Sequence, residues 1–320
     1  MGILNKADFT AVNMGFEAMT SEFFDRSRLV ARNSLFTDFK TSKNLITTIN
    51  VFENFPVMRK WVGEKVFSDV RYSQVRGAVE AYEKSFELGR LESEADLMSG
   101  ELGSRIQQAF SGTNAGDYDR IATNFLLSNP TSYDGTALFN ASHPRAANGG
   151  TWSNISTTAF SGTQHRAVMV AGASLTDEGG EPWELEYDTL MVGPSLSFLA
   201  QEIVGSNQRI IATNNAGDET GTRVSASTIP NVNGLQMFTG GSMTVVVNLR
   251  LVGTNASRYF YFSTSSGARP VVMREYDSRA VAMTNLDSPE RYARDVYQWS
   301  VEADLTLIAG VPQIAFFGNV

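Results

Sequence analysis

The sequence predicts an α+β fold built from unlike pieces in a fixed order: an arm, a charged β-hairpin, a long helix, a mixed α/β domain and closing strands. Three observations carry this. Apolar residues recur at steps of three and four near the amino terminus and again from Leu91 onward, the spacing of one helix face. They alternate one by one across residues 60–88 and 297–307, the spacing of half-buried strands. Between these stretches lie segments rich in Gly, Asn and Pro, the residues that punctuate a chain.

Taken in order, Phe9, Val12, Phe16, Met19 and Phe23 form a stripe behind Asp8, which is placed to cap the first turn of an amphipathic helix. Such a stripe is either core or an arm that docks on a neighbour. Val66, Val70 and Tyr72 then share one side of an alternating run. Tyr82, Phe86 and Leu88 share another after a break at Gly77, so a long hairpin over residues 60–88 is expected. It carries Lys60, Glu64, Lys65, Asp69, Arg71, Arg76, Glu80, Glu83, Lys84 and Glu87 with little apolar surface. A lone two-stranded hairpin is marginal in water, so this one either joins a larger sheet or lies on another subunit.

Leu91, Ala95, Met98, Leu102, Ile106 and Ala109 return to helical spacing. Ile121, Ala122, Phe125 and Leu126 resume it after residues 112–116, which predicts a long helix bent near 111–117. Residues 129–150 are turn-rich, with Asn129-Pro130, Asp134-Gly135, Pro144 and Gly149-Gly150. From 151 to about 253 short strands alternate with one clear helix over 195–205, where Leu196, Leu199 and Ile203 share a face. Residues 213–227 are polar and read as an exposed loop. Strand patterns then return at 270–276, and at 297–307 with a run continuing to Phe316.

Composition narrows the function classes. At 320 residues and 42% hydrophobic content the chain can bury a sizeable core. It has no cysteine, which excludes disulfides, thiolate nucleophiles and cysteine-ligated metals. A formal net charge of −8 argues against gripping nucleic acid. No signal-type apolar core opens the sequence, Lys6 stands where a myristoylation motif needs Ser or Thr, and the longest apolar stretch is broken by Thr306, Gly310, Pro312 and Gln313. A soluble protein, cytoplasmic at synthesis and without a membrane partner, is expected.

The chemistry of catalysis is thin. His143 and His165 are the two histidines, and neither has a second at ligand spacing. Gly193-Pro194-Ser195-Leu196-Ser197 lacks the second glycine of a nucleophile elbow, and no phosphate loop or dinucleotide motif is present. Pairs such as Asp177 with Glu178, or Glu184 with Glu186, read as solvated charges. The Asn-x-Ser triplets at Asn140, Asn154 and Asn255 read as chance matches. The expectation is a non-enzymatic protein with no catalytic residue, cofactor or metal. An enzyme would have to gather His143 or His165 with carboxylates in a pocket.

Two motifs carry a resemblance. Phe55-Pro-Val-Met-Arg-Lys-Trp-Val-Gly-Glu-Lys65, followed by Leu88-Gly89-Arg90, is similar to the Mu-like major head subunit family of tailed phages and prophages. Tyr133-Asp134-Gly135-Thr136-Ala137-Leu138-Phe139-Asn140-Ala141-Ser142-His143-Pro144 resembles that family's Tyr-Asp-Gly, Phe, His-Pro signature. The resemblance implies the Hong Kong 97-type capsid fold, with an arm over 1–54, an extended loop over 55–90 and a peripheral domain with its spine helix over 91–150. An axial domain over 151–265 and strands over 266–320 returning to the peripheral domain complete it.

The implied function is the head shell that encloses double-stranded DNA in the virion, assembled in the host cytoplasm. The implied partners are many copies of the chain as hexamers and pentamers, with portal, scaffold and decoration proteins beside them. Sequence-specific DNA binding is not implied. Phe9, Phe16, Phe23, Lys65, Arg71, Arg76, Glu83 and Lys84 are the candidate inter-subunit contacts, and His143 is expected to be a hydrogen-bonding loop anchor. A tail-tube or decoration subunit is the alternative, which the long helix argues against.

Overall fold

The computed structural model describes residues 33–52, 60–65, 67, 72–89, 116–145, 150–176, 182–183, 185–205, 208–209, 231–232, 243–265, 267–282 and 293–319. The expected helix over 9–23, the first part of the long helix and the polar loop at 213–227 lie outside these residues.

Described elements begin with α1 (Asn33–Phe36), β1 (Thr37–Thr41), β2 (Ile46–Phe52), β3 (Tyr72–Ala78), β4 (Glu80–Gly89) and α2 (Asp117–Leu127). Three short strands follow: β5 (His143–Pro144), β6 (Thr151–Trp152) and β7 (Ile155–Ser156). Then come α3 (Gly162–Ala173), β8 (Thr189–Val192), α4 (Ser197–Ala200), β9 (Gln208–Arg209), β10 (Asn231–Val232) and β11 (Thr244–Val247). The chain closes with β12 (Tyr259–Phe262), β13 (Val271–Ala282), β14 (Val296–Ala309) and β15 (Ala315–Gly318). They fall into two compact units, Met1–Ile49 with Arg76–Ser128 and Val271–Ile308, and Asn50–Val75 with Asn129–Pro270 and Ala309–Val320.

The first unit is built on a sheet in the order β1-β13-β14-β4. The alternation read at 297–307 holds through Tyr297, Trp299, Val301, Ala303 and Leu305, all buried, and then shifts, so that Thr306 and Ile308 are buried and Leu307 is not. Trp299 stacks on Phe86 of β4 at 5.2 Å. Of the long helix, α2 is the described part. Asp117 and Asp119 in its first turn suit the positive end of the helix dipole, and Tyr118, Ala122, Thr123 and Leu126 form its buried face. The Tyr118 hydroxyl donates to Glu275 of β13 at 2.8 Å. The helix ends before Asn129-Pro130, where proline disfavours the right-handed α-conformation of the residue preceding it and Asn129 takes φ +54°.

The expected hairpin over 60–88 is corrected in its pairing. β4 does not fold back on β3. It runs antiparallel to β14, with Phe86 opposite Trp299, while β3 pairs with β2. Half of the charged segment thus joins a larger sheet. Gly77, read as a break, lies inside β3, where an added Cβ would stand 2.6 Å from Ile308 Cγ1 and 2.8 Å from Thr306 Cγ2. The glycine serves close packing, not a turn. Gly77→Val is therefore expected to cost about 1–3 kcal/mol by overpacking. Urea denaturation checks this, and an unchanged midpoint would contradict it.

The second unit holds a sheet in the order β11-β8-β12-β15-β7. Every residue of β8, β12 and β15 is buried, because both faces are covered and the strands read as continuous apolar runs. One face presents Leu190, Val192, Tyr259, Tyr261 and Phe316 to a core that includes Val168 and Met169 of α3 and Ala200 of α4. On the other, Phe260 stacks on Phe317 at 4.7 Å, and both touch Phe139. Each such side chain contributes roughly 1.5–3 kcal/mol on burial.

Three further expectations are revised here. Residues 151–253 hold a second helix, α3, capped by the Ser161 hydroxyl accepting from the Gln164 N–H. The helix expected over 195–205 is present as a 3₁₀ turn (Pro194–Leu196), α4 and a π-turn (Gln201–Gly205). That changing winding rotates the buried face onto Ala200, Ile203 and Val204 and leaves Leu199 38% exposed. The run to Phe316 does not continue β14: the chain turns at Pro312–Ile314, and β15 enters the other sheet beside β12.

Candidate functional site

The Tyr133 to Pro144 signature folds as one closed loop in the second unit. Asp134 and Gly135 make its turn, with Gly135 at φ +78°, a left-handed conformation that glycine adopts without strain. The Asp134 carboxylate accepts from the Thr136 N–H at 3.0 Å, the side-chain turn that Asp favours. Asn129 borders the loop as a strand would: its amide accepts from the Phe139 N–H at 2.7 Å and donates to the Phe139 carbonyl at 2.9 Å.

His143 is at the centre and is fully buried. Its Nδ1 lies 2.6 Å from Asp134 Oδ2 and its Nε2 lies 3.0 Å from Asn154 Oδ1. The Asn154 amide is itself fixed, because its Nδ2 donates to the carbonyls of Leu138 and Pro312 at 2.8 and 3.0 Å. Its oxygen therefore faces the ring and also accepts from the Asn140 N–H at 2.8 Å. An acceptor thus stands opposite each ring nitrogen, so the imidazole is held at both ends. Trp152, opposite His143 in the β5–β6 pair, stacks on the ring at 4.3 Å.

Burial works to raise the Asp134 pKa, but the hydrogen bond from His143 and those from Thr136 overcome it and hold the carboxyl below its ordinary value. A depressed folded-state pKa gives stability that is present above the unfolded value near 4 and is lost as the pH falls through the folded one. Asp134→Asn is expected to flatten the acid limb of a stability-against-pH curve below about pH 4. Thermal melts of wild type and variant check this, and parallel acid limbs would contradict it.

The arrangement joins four chain segments, and it is a structural knot. Asp134, His143 and Asn154 satisfy one another and are buried, so His143 holds the loop as an anchor. No local pattern marks Trp152 as its stacking partner. The Asn154 triplet is no glycosylation site, since Asn154 is 1% exposed at the middle of the knot, where its amide has a structural role instead. The other histidine, His165, is buried on α3 with its Nδ1 2.8 Å from the Tyr261 hydroxyl. Among the described residues no group of three or more His, Asp and Glu could hold a metal ion. No helix of the described residues is long and apolar enough to cross a membrane.

The second feature is exposed. β3 has no buried residue, and its ribbon with β2 is a two-stranded sheet. Between the two strands Trp61, Val62 and Phe67 are 73%, 80% and 88% exposed. The Trp61 indole N–H donates to the Gly63 carbonyl across a local turn. Of the candidate contact residues, Phe9, Phe16, Phe23 and Arg71 lie outside the described residues. Lys65, Arg76 and Glu83 are exposed, whereas Lys84 is half-buried and pairs with Asp117 of α2 at 3.4 Å. The apolar trio was not singled out from sequence, because its spacing follows no regular period.

Residues 15–170 match the family described as Mu-like prophage major head subunit gpT. No curated protein matches by sequence. Among solved structures, a chain of the procapsid of bacteriophage JBD30 is similar at TM-score 0.50 and 15% identity, over 98% of this chain and 76% of that one. A chain of the virus-like particle from Pyrococcus furiosus is similar at TM-score 0.50 and 11% identity, over 95% and 98%. A chain of Microbacterium phage Oxtober96 is similar at TM-score 0.50 and 11% identity, over 90% and 89%.

Proposed function

Because this chain belongs to the Mu-like major head subunit family and is a major capsid protein with the Hong Kong 97-type fold, we propose that each subunit closes the shell by laying its β2–β3 ribbon on the next copy. The observation that carries this is the exposure of Trp61, Val62 and Phe67 on a ribbon whose β3 has no buried residue. A two-stranded ribbon that leaves one whole strand at least partly exposed is stabilised by adding to a neighbour. Exposed aromatic and aliphatic anchors of this kind are what interface cores are made from.

In this reading residues 1–54 are the arm and 55–90 the extended loop. The peripheral domain takes 91–128 and most of 266–320, and the axial domain takes 151–265. Residues 129–150 and 309–320, which cluster with the second unit, go with the axial domain. Phe9, Phe16, Phe23, Lys65, Arg71, Arg76 and Glu83 are proposed contacts between copies, and Lys84 supports β4 from within. The copies form hexamers and pentamers in the host cytoplasm, joined by portal and scaffold proteins and by any decoration protein, around DNA that is enclosed without being read. The chain is a structural protein and not an enzyme. The head-subunit match sets aside a tail-tube or decoration subunit.

Sedimentation velocity of the purified chain across concentration and ionic strength tests the reading. Capsomer-sized species and particles are expected, weakening as salt screens the charged contacts. A monomer under every condition would contradict it.

A further inference from the structure

The buried face of α3 is unusual for a helix that covers a core. It consists of Gln164, His165, Val168, Met169 and Gly172, so two aliphatic side chains supply most of its apolar contact. Two tyrosines take up the rest. An added Cβ on Gly172 would stand 2.6 Å from Tyr187 Cε2, so the helix lies directly on that ring. At the other end His165 Nδ1 meets the Tyr261 hydroxyl at 2.8 Å, with the two rings 5.6 Å apart.

His165 also sits in the first turn of α3, where the helix dipole opposes a positive charge. Apart from the Tyr261 hydroxyl oxygen, the described groups around it give an imidazolium no counter-charge. Tyr261 faces it from β12, with Tyr259 edge-on to Tyr261 at 6.0 Å and Tyr187 packed against Tyr261 at 6.1 Å. Burial holds the phenols of Tyr187 and Tyr261 far above their ordinary range, so neither becomes an anion that could pair with it. Arg166, next in the helix, repels it. Of the carboxylates on the Tyr187 segment, Glu186 is exposed, and Asp188 is occupied by Thr189, Thr264 and Ser265.

We propose that His165 is a proton-operated latch: uptake of a proton by its imidazole releases α3 from the five-stranded sheet while the sheet itself stays folded. Released, the helix would uncover Tyr187, Tyr261, Val168 and Met169, giving the subunit an acid-exposed apolar surface. Burial first, and then Arg166, lower the His165 pKa to about 4. A base whose folded pKa is lowered contributes stability that is intact above about pH 6.5 and is withdrawn as the pH falls toward 4. The inference concerns the second unit alone and does not depend on shell assembly.

Hydrogen exchange of the full-length subunit, read by mass spectrometry at pH 7 and pH 4.5 with intrinsic rates corrected, tests it. Peptides from α3 are expected to lose protection roughly tenfold or more at pH 4.5, while those from β8 and β12 keep theirs. His165→Gln, which keeps a polar partner for Tyr261 but takes up no proton, is expected to abolish the loss. Tyr261→Phe removes the hydrogen bond to the neutral ring and is expected to move the transition to higher pH, which carries the test if the glutamine variant does not fold. Three results would each overturn the proposal: protection of α3 unchanged at pH 4.5, simultaneous loss from helix and strands, or a transition unmoved in both variants.

Discussion

His143→Ala is expected to destabilise the second unit by about 3–5 kcal/mol, the cost of removing a fully buried ring that hydrogen-bonds the buried Asp134 carboxylate. The substitution leaves the Asp134 carboxylate, whose side chain is 8% exposed, facing a void. It also strips Asn154 Oδ1 of one donor and Trp152 of the ring it stacks on. Against a domain stability of about 5–15 kcal/mol this is a large fraction. Urea denaturation of the single variants and of the Asp134→Ala, His143→Ala double variant measures it. The double variant should be less unstable than the sum of the singles, because the second change removes the charge stranded by the first. A loss under about 1 kcal/mol for His143→Ala would show that the knot carries little of the stability.

Replacing Trp61, Val62 and Phe67 together by serine is expected to abolish closed particles while leaving the subunit folded. The three side chains are 73–88% exposed in the single chain, so each removal should shift the chain's own stability by no more than about 0.5 kcal/mol. Buried against a neighbour, each would contribute roughly 1.5–3 kcal/mol, and the loss recurs at every ribbon contact of a shell. Particle yield by sedimentation, set beside the thermal melt of the unassembled chain, separates the two effects. Normal particles from the triple variant would place the closing contact elsewhere.

How far the sequence could be read depended on how regularly each segment meets its surroundings. β14 was legible because one face of it packs against a core for most of its length, so Tyr297, Trp299, Val301, Ala303 and Leu305 alternate without interruption. The helix α3 was not legible, because Gln164, His165 and Gly172 occupy its buried face and blur the apolar period. Gly77 misled the strand pairing, since a glycine chosen for close approach to Ile308 looks in sequence like one chosen for a turn.

The site divides the same way. His143-Pro144 within a turn-rich stretch announced a loop anchor, and Asp134-Gly135 announced a turn. That the two are one knot, with Trp152 from β6 and Asn154 from just beyond it, depends on contacts between segments that no local pattern encodes. The exposed apolar trio follows the same rule, because exposure is a property of the folded chain.

The most direct test of the central claim is negative-stain electron microscopy of the purified, overexpressed protein. A head subunit whose ribbon seeks a neighbour predicts closed shells, tubes of capsomers, or discrete pentamers and hexamers. Fields of uniform single subunits at high protein concentration and at every ionic strength would contradict it.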